Sequence, residues 1–334
     1  MPVSTAQTAQ LCINALNAAD HSRSSPLYAV MTMASTLESS RQAWVIHGQS
    51  RSRRVGNWPT WFARNTGEKP MLYLHSAASS AQLCALSDET AQRGILCNDI
   101  ENQPSPWPKG AQPSLPLWLA THPRCTPYDP ASGEEAWAIV LAGLRTLYVD
   151  GSPGFYYLAL HDQESPVTLG AQNREGALKG MYPIRRDPVG QVRLLGAGQA
   201  LKEVTYAAQL LEQDWSIAVQ LWSCPSYTRL AREAAAAERW NRLHPIAVKQ
   251  SCHLRDCLAG SSLPVIAVTG YPQAIVDQLA PYVDAPFVAL GAGSVQASAP
   301  SRYWIVVCAL RALADEGRID AQHVENALHR YHLK

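Results

Sequence analysis

The sequence predicts an α/β protein of two domains, each a mostly parallel β-sheet flanked by helices. Three observations carry that expectation. The chain has 334 residues, enough for two domains of roughly 150 residues each. Apolar residues make up 47% of it, enough for sizeable cores. From about residue 165 onward, short apolar runs alternate with helix-like stretches of about 10–15 residues, the pattern of strand–helix crossovers in a parallel sheet.

The elements follow in order. Residues 7–19 (QTAQLCINALNAA) predict a short amphipathic helix. Residues 26–33 (PLYAVMTM) predict a buried strand between Ser24-Ser25 and Ser39-Ser40, and residues 38–48 have helical character. Residues 49–69, rich in Arg, Gly, Trp and Asn, predict a loop, and 70–75 (PMLYLH) a short strand. A helix over 79–94 leads into a strand at 94–97. Residues 98–115 are Pro-rich and aperiodic, a long loop for a compact domain and therefore a functional element or a remnant. The LPLWLAT run is strand-like. A helix over 132–148 is opened by Ser132 with Glu135 three residues on, a capping box, and GFYYLAL is a buried strand. Beyond that, strands are expected at 192–198, in SIAVQLWS, at 263–270 and in FVALGAG. Helices are expected at 199–213, 226–240, 272–282, 301–316 and 320–331. The expected layout is a first domain over 1–165, a linker over 166–189 and a second domain over 190–334.

Composition narrows the function. Charged residues are only 16% of the chain, against a typical ~25%, so part of the surface is suited to cover by a partner. The net charge of +1 gives no field favouring nucleic acid or anionic lipid. The basic cluster Arg51, Arg53 and Arg54 falls in a loop and reads as solvated. No apolar run reaches the ~18 residues of a membrane span, and no secretory signal stands at the N-terminus. The eight cysteines are scattered without a CxxC pair, which suits a reducing cytoplasm. Cys252-His253 and Asp256-Cys257 lack a second ligand pair at zinc spacing.

Several stretches together resemble the C-terminal half of the homodimeric-type pyruvate dehydrogenase decarboxylating subunit, of the thiamine-diphosphate enzyme superfamily. They are VRLLGAGQA after Gln191, the string Glu238-Arg239-Trp240-Asn241-Arg242-Leu243-His244-Pro245, and ALRALADEGRID at 309–320. Upstream, LCALSDETAQRG (83–94), Tyr128-Asp129-Pro130, GFYYLAL and LKGMYPI (178–184) add to the likeness. Order and spacing agree over about 70–334, while residues 1–69 match loosely and are shortened. The resemblance implies a pyrimidine-binding domain followed by a transketolase C-terminal-like domain. The diphosphate-gripping domain has no counterpart here, since no Gly-Asp-Gly…Asn magnesium motif is found.

The family's chemistry needs a carboxylate beside the cofactor's pyrimidine ring, on a helix that opens after a strand. Glu38, the sole carboxylate in residues 21–67, is the candidate; its plain alternative is a helix-start glutamate favoured by the dipole. The ring also needs an aromatic or apolar platform. Alignment without gaps puts His75 at the stacking position with Tyr73 near it, and core packing is the plain alternative for both. The family's histidine-rich active-site loop corresponds to 98–115, which here holds Pro104, Pro106, Pro108 and Pro113 and no histidine. The Glu238–Pro245 string reads as helix termination and domain contact. VRLLGAGQA reads as a tight turn, because it lacks the full GxGxxG pattern.

Two functions stay open at this stage. One is a subunit of a split thiamine-diphosphate-dependent 2-oxo-acid dehydrogenase or transketolase-like enzyme, inactive alone. It would share thiamine diphosphate and magnesium with a separate diphosphate-domain subunit, with a lipoyl or carrier-protein acyl acceptor, as a dimer or heterotetramer. The other is a non-catalytic relative with a scaffolding or regulatory binding role.

Overall fold

The computed structural model describes residues 4–19, 24–48, 68–90, 93–165, 167–294 and 299–333. It divides into two compact units, Met1–Arg174 and Glu175–Lys334.

The first unit opens with helices α1 (Thr5–Ala18) and α2 (Pro26–Ser40). The strand expected at 26–33 is therefore a helix. Ser25 caps it by accepting from the Tyr28 amide, and Pro26 stands at the first helical position, where its missing N–H costs nothing. The buried positions Ala29, Val30, Met33, Ala34 and Leu37 then recur at helical spacing. Strands β1 (Trp44–His47) and β2 (Met71–His75) follow, then α3 (Ser80–Glu89) with a Ser79/Gln82 capping box, and β3 (Arg93–Asn98). The helical character expected over 38–48 holds only to Ser40, beyond which the chain becomes β1.

LPLWLAT is likewise a helix, α4 (Ser114–Thr121). Pro113 and Pro116 both lie where the first-turn amides have no intrahelical acceptor, so neither breaks it. Then come β4 (Cys125–Tyr128), α5 (Gly133–Leu144) with a π-type turn over Arg145–Val149, and β5 (Gly154–Ala159). Ser132 caps α5 as expected, while the Glu135 carboxylate reaches the Ala131 amide, one residue before the cap, at 2.6 Å. The five strands are parallel in the order β1-β2-β3-β5-β4. β2, β3 and β5 are buried almost throughout, which is why they read as unbroken apolar runs.

The boundary falls at the first residue of the short helix α6 (Arg174–Lys179), and the second unit continues with β6 (Tyr182–Arg185). Residues 182–185, inside the expected linker, are thus a strand of the second sheet. β7 (Val192–Gly196), α7 (Ala200–Trp215), β8 (Val219–Ser223), α8 (Tyr227–Leu243) and the short α9 (His253–Leu258) come next. β9 (Val265–Pro272), α10 (Ala274–Asp277), β10 (Phe287–Ala292), α11 (Arg302–Asp315) and α12 (Gln322–Arg330) complete it. The sheet order is β10-β9-β7-β8-β6, with only β6 antiparallel. Its core joins Leu194, Val204, Leu211, Val268, Ile305 and Leu310 across strands and helices. The helix expected at 272–282 is two pieces, α10 and a 3-10 turn over Ala280–Tyr282 that contains Pro281.

Candidate functional site

In a parallel α/β sheet, ligands bind outside the carboxyl ends of the strands, where the strand order reverses. In the first unit that crevice lies between β3 and β5, and the chain's own segment 99–113 is fastened across it. Asn98, at the end of β3, donates from Nδ2 to the Ala77 carbonyl (2.8 Å) and to the Tyr157 hydroxyl (3.0 Å), and its Oδ1 accepts from the Ile100 amide (3.1 Å). Asn102 ties the segment to the end of β5, donating to the Leu160 carbonyl (3.1 Å) and accepting from the Asp162 amide (2.9 Å). The Gln112 amide donates to the Ala78 carbonyl (2.8 Å), and the Ser76 hydroxyl donates to the Asp99 carboxylate.

A buried ion cluster closes the segment over β4. Lys109 Nζ lies 2.6 Å from Glu101 and 3.1 Å from Asp129, and the three side chains are 4%, 7% and 10% exposed. Burial works against the ammonium, but Asp129 and Glu101 outweigh it, so the Lys109 pKa is raised and the amine stays charged. The Glu101 pKa is raised by burial, with the Asp129 charge adding to it and Lys109 opposing. Lys109 and Gly110 both take positive φ (54° and 69°), and a Cβ on Gly110 would run into the Ile100 carbonyl oxygen.

Tyr73 and His75 sit on β2 beside this segment, ring centroids 6.0 Å apart, edge to face. His75 Nδ1 accepts from the Ala77 amide (3.2 Å), so the ring proton is on Nε2, which is buried without a partner among the described residues. Burial pushes the His75 pKa down to about 3, so the ring is neutral. His161, just past β5, is pushed down to about 3 by burial and by the Lys109 charge. The Tyr73 hydroxyl donates to Glu89 of α3 (3.4 Å), and its pKa is pushed up to about 12 by burial and by that carboxylate.

Glu38 is in the last turn of α2, not at the start of a helix following a strand. It is half-exposed and pairs with His47 Nε2 at 2.8 Å. His47 is in register with Leu74. Partners in a parallel pair project to the same face of the sheet, and strand neighbours to opposite faces. Glu38 and His47 therefore lie on the α2 face, and Tyr73 and His75 on the α3 face. The structure brings Tyr73 and His75 together and puts the sheet between them and Glu38.

As a cradle for a pyrimidine ring the described residues do not fit. The ring faces of Tyr73 and His75 are buried, Gly48 packs against Tyr73 so closely that a Cβ would lie 2.8 Å from its ring, and Glu38 is across the sheet. Among the described residues no group of three His, Cys, Asp or Glu side chains is arranged to hold a metal ion. Residues 51–54 and the rest of 49–67 lie outside the described residues.

The Glu238–Pro245 string ends α8. The His244 ring stacks on Trp240 at 4.5 Å, its amide and Nδ1 both reach the Trp240 carbonyl, and Glu238 pairs with Arg255 at 2.6 Å. Asn241 is bonded twice to Gln250, clasping the loop between them. In VRLLGAGQA, Gly196 lets α7 approach β7, since a Cβ there would lie 2.8 Å from Leu201 Cα. Cys257 Sγ lies 3.5 Å from His253 Nε2, and burial pushes this thiol up to about 11.

The fold is α/β, similar to that of transketolase domains. Residues 180–303 match the family described as transketolase-like TK C-terminal domain. A transketolase from Leishmania mexicana superposes with a TM-score of 0.60 at 15% identity, over 89% of this chain and 46% of that one. A split-gene transketolase, described as an inactive beta4 tetramer, superposes with a TM-score of 0.55 at 12% identity, over 88% of this chain and 99% of that one. More particularly, the chain is similar to the C-terminal half of the pyruvate dehydrogenase E1 component. It is 33% identical over 270 residues to that of Cupriavidus necator, covering 75% of this chain and 30% of the relative. It is 26% identical over 313 residues to that of Escherichia coli K12, covering 85% of this chain and 35% of the relative. It spans about a third of the length of these relatives. No helix among the described residues is long and apolar enough to cross a membrane.

Proposed function

We propose that this chain is a non-catalytic member of the family, keeping the pyrimidine-domain and C-terminal folds as a scaffolding or regulatory binding subunit. One observation carries the reading: the segment where the resemblance expects a histidine-rich active-site loop instead bonds to the ends of β2, β3, β4 and β5, with the buried Lys109–Glu101–Asp129 cluster as its fastening. Displacing the whole segment from that edge would break a buried ion cluster, which costs several kcal/mol.

A second reading has its own support. The likeness to a split-gene transketolase covers 99% of that chain, so the same pair of folds exists elsewhere as a separate polypeptide. In that reading this chain is the pyrimidine/C-terminal subunit of a split thiamine-diphosphate enzyme. A diphosphate-domain chain supplies the magnesium diphosphate site; the reading also needs Glu38 as the proton-shuttling carboxylate and Tyr73 and His75 as the ring platform, against their placement on opposite faces of the sheet. The reaction is acyl or two-carbon transfer, with a lipoyl or carrier-protein acceptor.

Isothermal titration with thiamine diphosphate and magnesium separates the two. The non-catalytic reading expects no binding tighter than roughly millimolar, with or without a diphosphate-domain chain. Micromolar binding in a reconstituted complex, with turnover abolished by Glu38→Gln, would establish the split enzyme instead.

A further inference from the structure

A charge taken out of water is normally paired with its opposite. Arg193, at the start of β7, is the one buried arginine among the described residues, 3% exposed, and its partners are all neutral. Its Nε donates to Gln220 Oε1 of β8 at 3.1 Å, Nη1 to the Ser261 carbonyl at 3.4 Å and Nη2 to the Ser261 hydroxyl at 2.7 Å. A second cation stands close by. Arg186, exposed just beyond β6, holds its guanidinium 5.1 Å from the centre of the Trp222 ring. Arg193 is in register with Gln220 and Leu195 with Trp222, so Arg193, Gln220 and Trp222 share the face of the second sheet opposite Leu194 and Leu221. The Arg193 pKa is lowered from the ordinary arginine value by burial and then by the Arg186 charge, although the group stays charged. The carboxylate nearest in sequence is engaged elsewhere: Asp187 accepts from the Val189 amide at 3.0 Å. Arg185, Arg255, Arg302 and Arg330 of the same unit each pair with a carboxylate, whereas Arg186 and Arg193 pair with none among the described residues. The Trp222 Nε1, which can only donate, is likewise buried without an acceptor among them.

We propose that Arg186, Arg193 and Ser261 form a binding site for a phosphate group, as the free ion or as a small phosphate monoester. This goes beyond the scaffolding reading and stands whether or not the chain takes part in catalysis. Charge selects the ligand. A phosphate group carries about −1.5 to −2 at neutral pH, which matches two guanidinium groups, while a carboxylate would leave one of them uncompensated. Geometry agrees with charge. Each guanidinium offers a planar fork of donors suited to a pair of phosphate oxygens. The Ser261 hydroxyl accepts from Arg193 Nη2, so its own proton is left to donate to a third oxygen. Ser261 and Arg186 are exposed, so the site is open to water on one side while Arg193 anchors it from the buried side. Few ligand atoms are held, so inorganic phosphate is expected to bind at roughly millimolar concentration.

Heat unfolding of the full chain tests this, in inorganic phosphate from about 0.1 to 50 mM with chloride holding the ionic strength constant. The wild-type midpoint is expected to rise by about 3 °C and to level off, as a filled site does. The general salting-out action of phosphate climbs without levelling and is common to every variant. Arg193→Gln is expected to lose nearly all of the saturating rise. Arg186→Gln, a change at an exposed position that leaves the fold intact, is expected to lose at least half of it, so the test does not depend on Arg193→Gln folding. Arg239→Gln, at an exposed position on α8, is expected to keep the whole rise. Acetate is expected to give none. Glycerol phosphate, run beside inorganic phosphate, tells an ester from the free ion by which raises the midpoint more. A wild type without a saturating rise would overturn the proposal, as would a rise that survives Arg186→Gln, is lost with Arg239→Gln or is matched by acetate.

Discussion

Two charged clusters of the first unit differ in almost everything except distance. Glu38 and His47 meet at 2.8 Å with side chains 48% and 52% exposed, while Lys109 meets Glu101 at 2.6 Å and Asp129 at 3.1 Å with almost no exposure. Water screens the first pair, so it contributes little to stability. The second has no such screening, and losing one partner strands a buried charge. The carboxylate that family likeness singles out therefore sits where charge matters least. Among the described residues, the most buried ion pairs are in the segment that departs furthest from the family.

The comparison breaks most easily at Lys109. Lys109→Met leaves Glu101 and Asp129 facing each other without a cation, and urea unfolding is expected to show a loss of about 3–5 kcal/mol. A loss below about 1 kcal/mol would mean the cluster is hydrated and the contrast with Glu38 is unfounded.

Acid probes the same edge. His75 and His161 are held neutral, with pKa values of about 3 against an ordinary 6.5. Unfolding lets each take up a proton below pH 6.5, so their contribution to stability is complete above that pH and is lost as pH falls toward 3. The expected slope between pH 6 and 4 is up to about 1.4 kcal/mol per pH unit for each histidine. The raised Glu101 pKa works the other way, since its protonation in acid favours the folded state. His75→Gln should remove one histidine's share of the slope; an unchanged slope would show that His75 reaches water.

Gly110→Ala sharpens the picture of the backbone. Its positive φ and the Ile100 carbonyl oxygen leave no room for a Cβ, and a loss of about 2 kcal/mol is expected in the same unfolding assay. At the small end, Glu38→Gln is expected to shift stability by less than about 0.5 kcal/mol. A larger loss would give the exposed pair a role its surroundings do not suggest.

What the sequence makes legible follows the same division. β2, β3 and β5 read as apolar runs because both faces are covered, and the second unit reads almost element by element for the same reason. Residues 26–33 mislead because an apolar run of eight suits strand or helix alike; Ser25-Pro26, a cap followed by a first-turn proline, was the signal that decides it. The helix-start position expected for Glu38 fails in consequence, since it rested on a strand before it. The Lys109 cluster could not be read from spacing, because Asp129 is 20 residues away and the two meet only through the fold. A single lysine beside a glycine in a Pro-rich segment, with a glutamate eight residues earlier, is a faint trace of it.

Hydrogen exchange of the amides in residues 99–113 tests most directly whether that segment is a fastened closure rather than a loop. The amides of Ile100, Asn102, Gly110 and Gln112, each hydrogen-bonded, are predicted to exchange with protection approaching that of β3, and to lose it in Lys109→Met. Exchange within seconds in the wild type, at the rate of an open loop, would contradict the account.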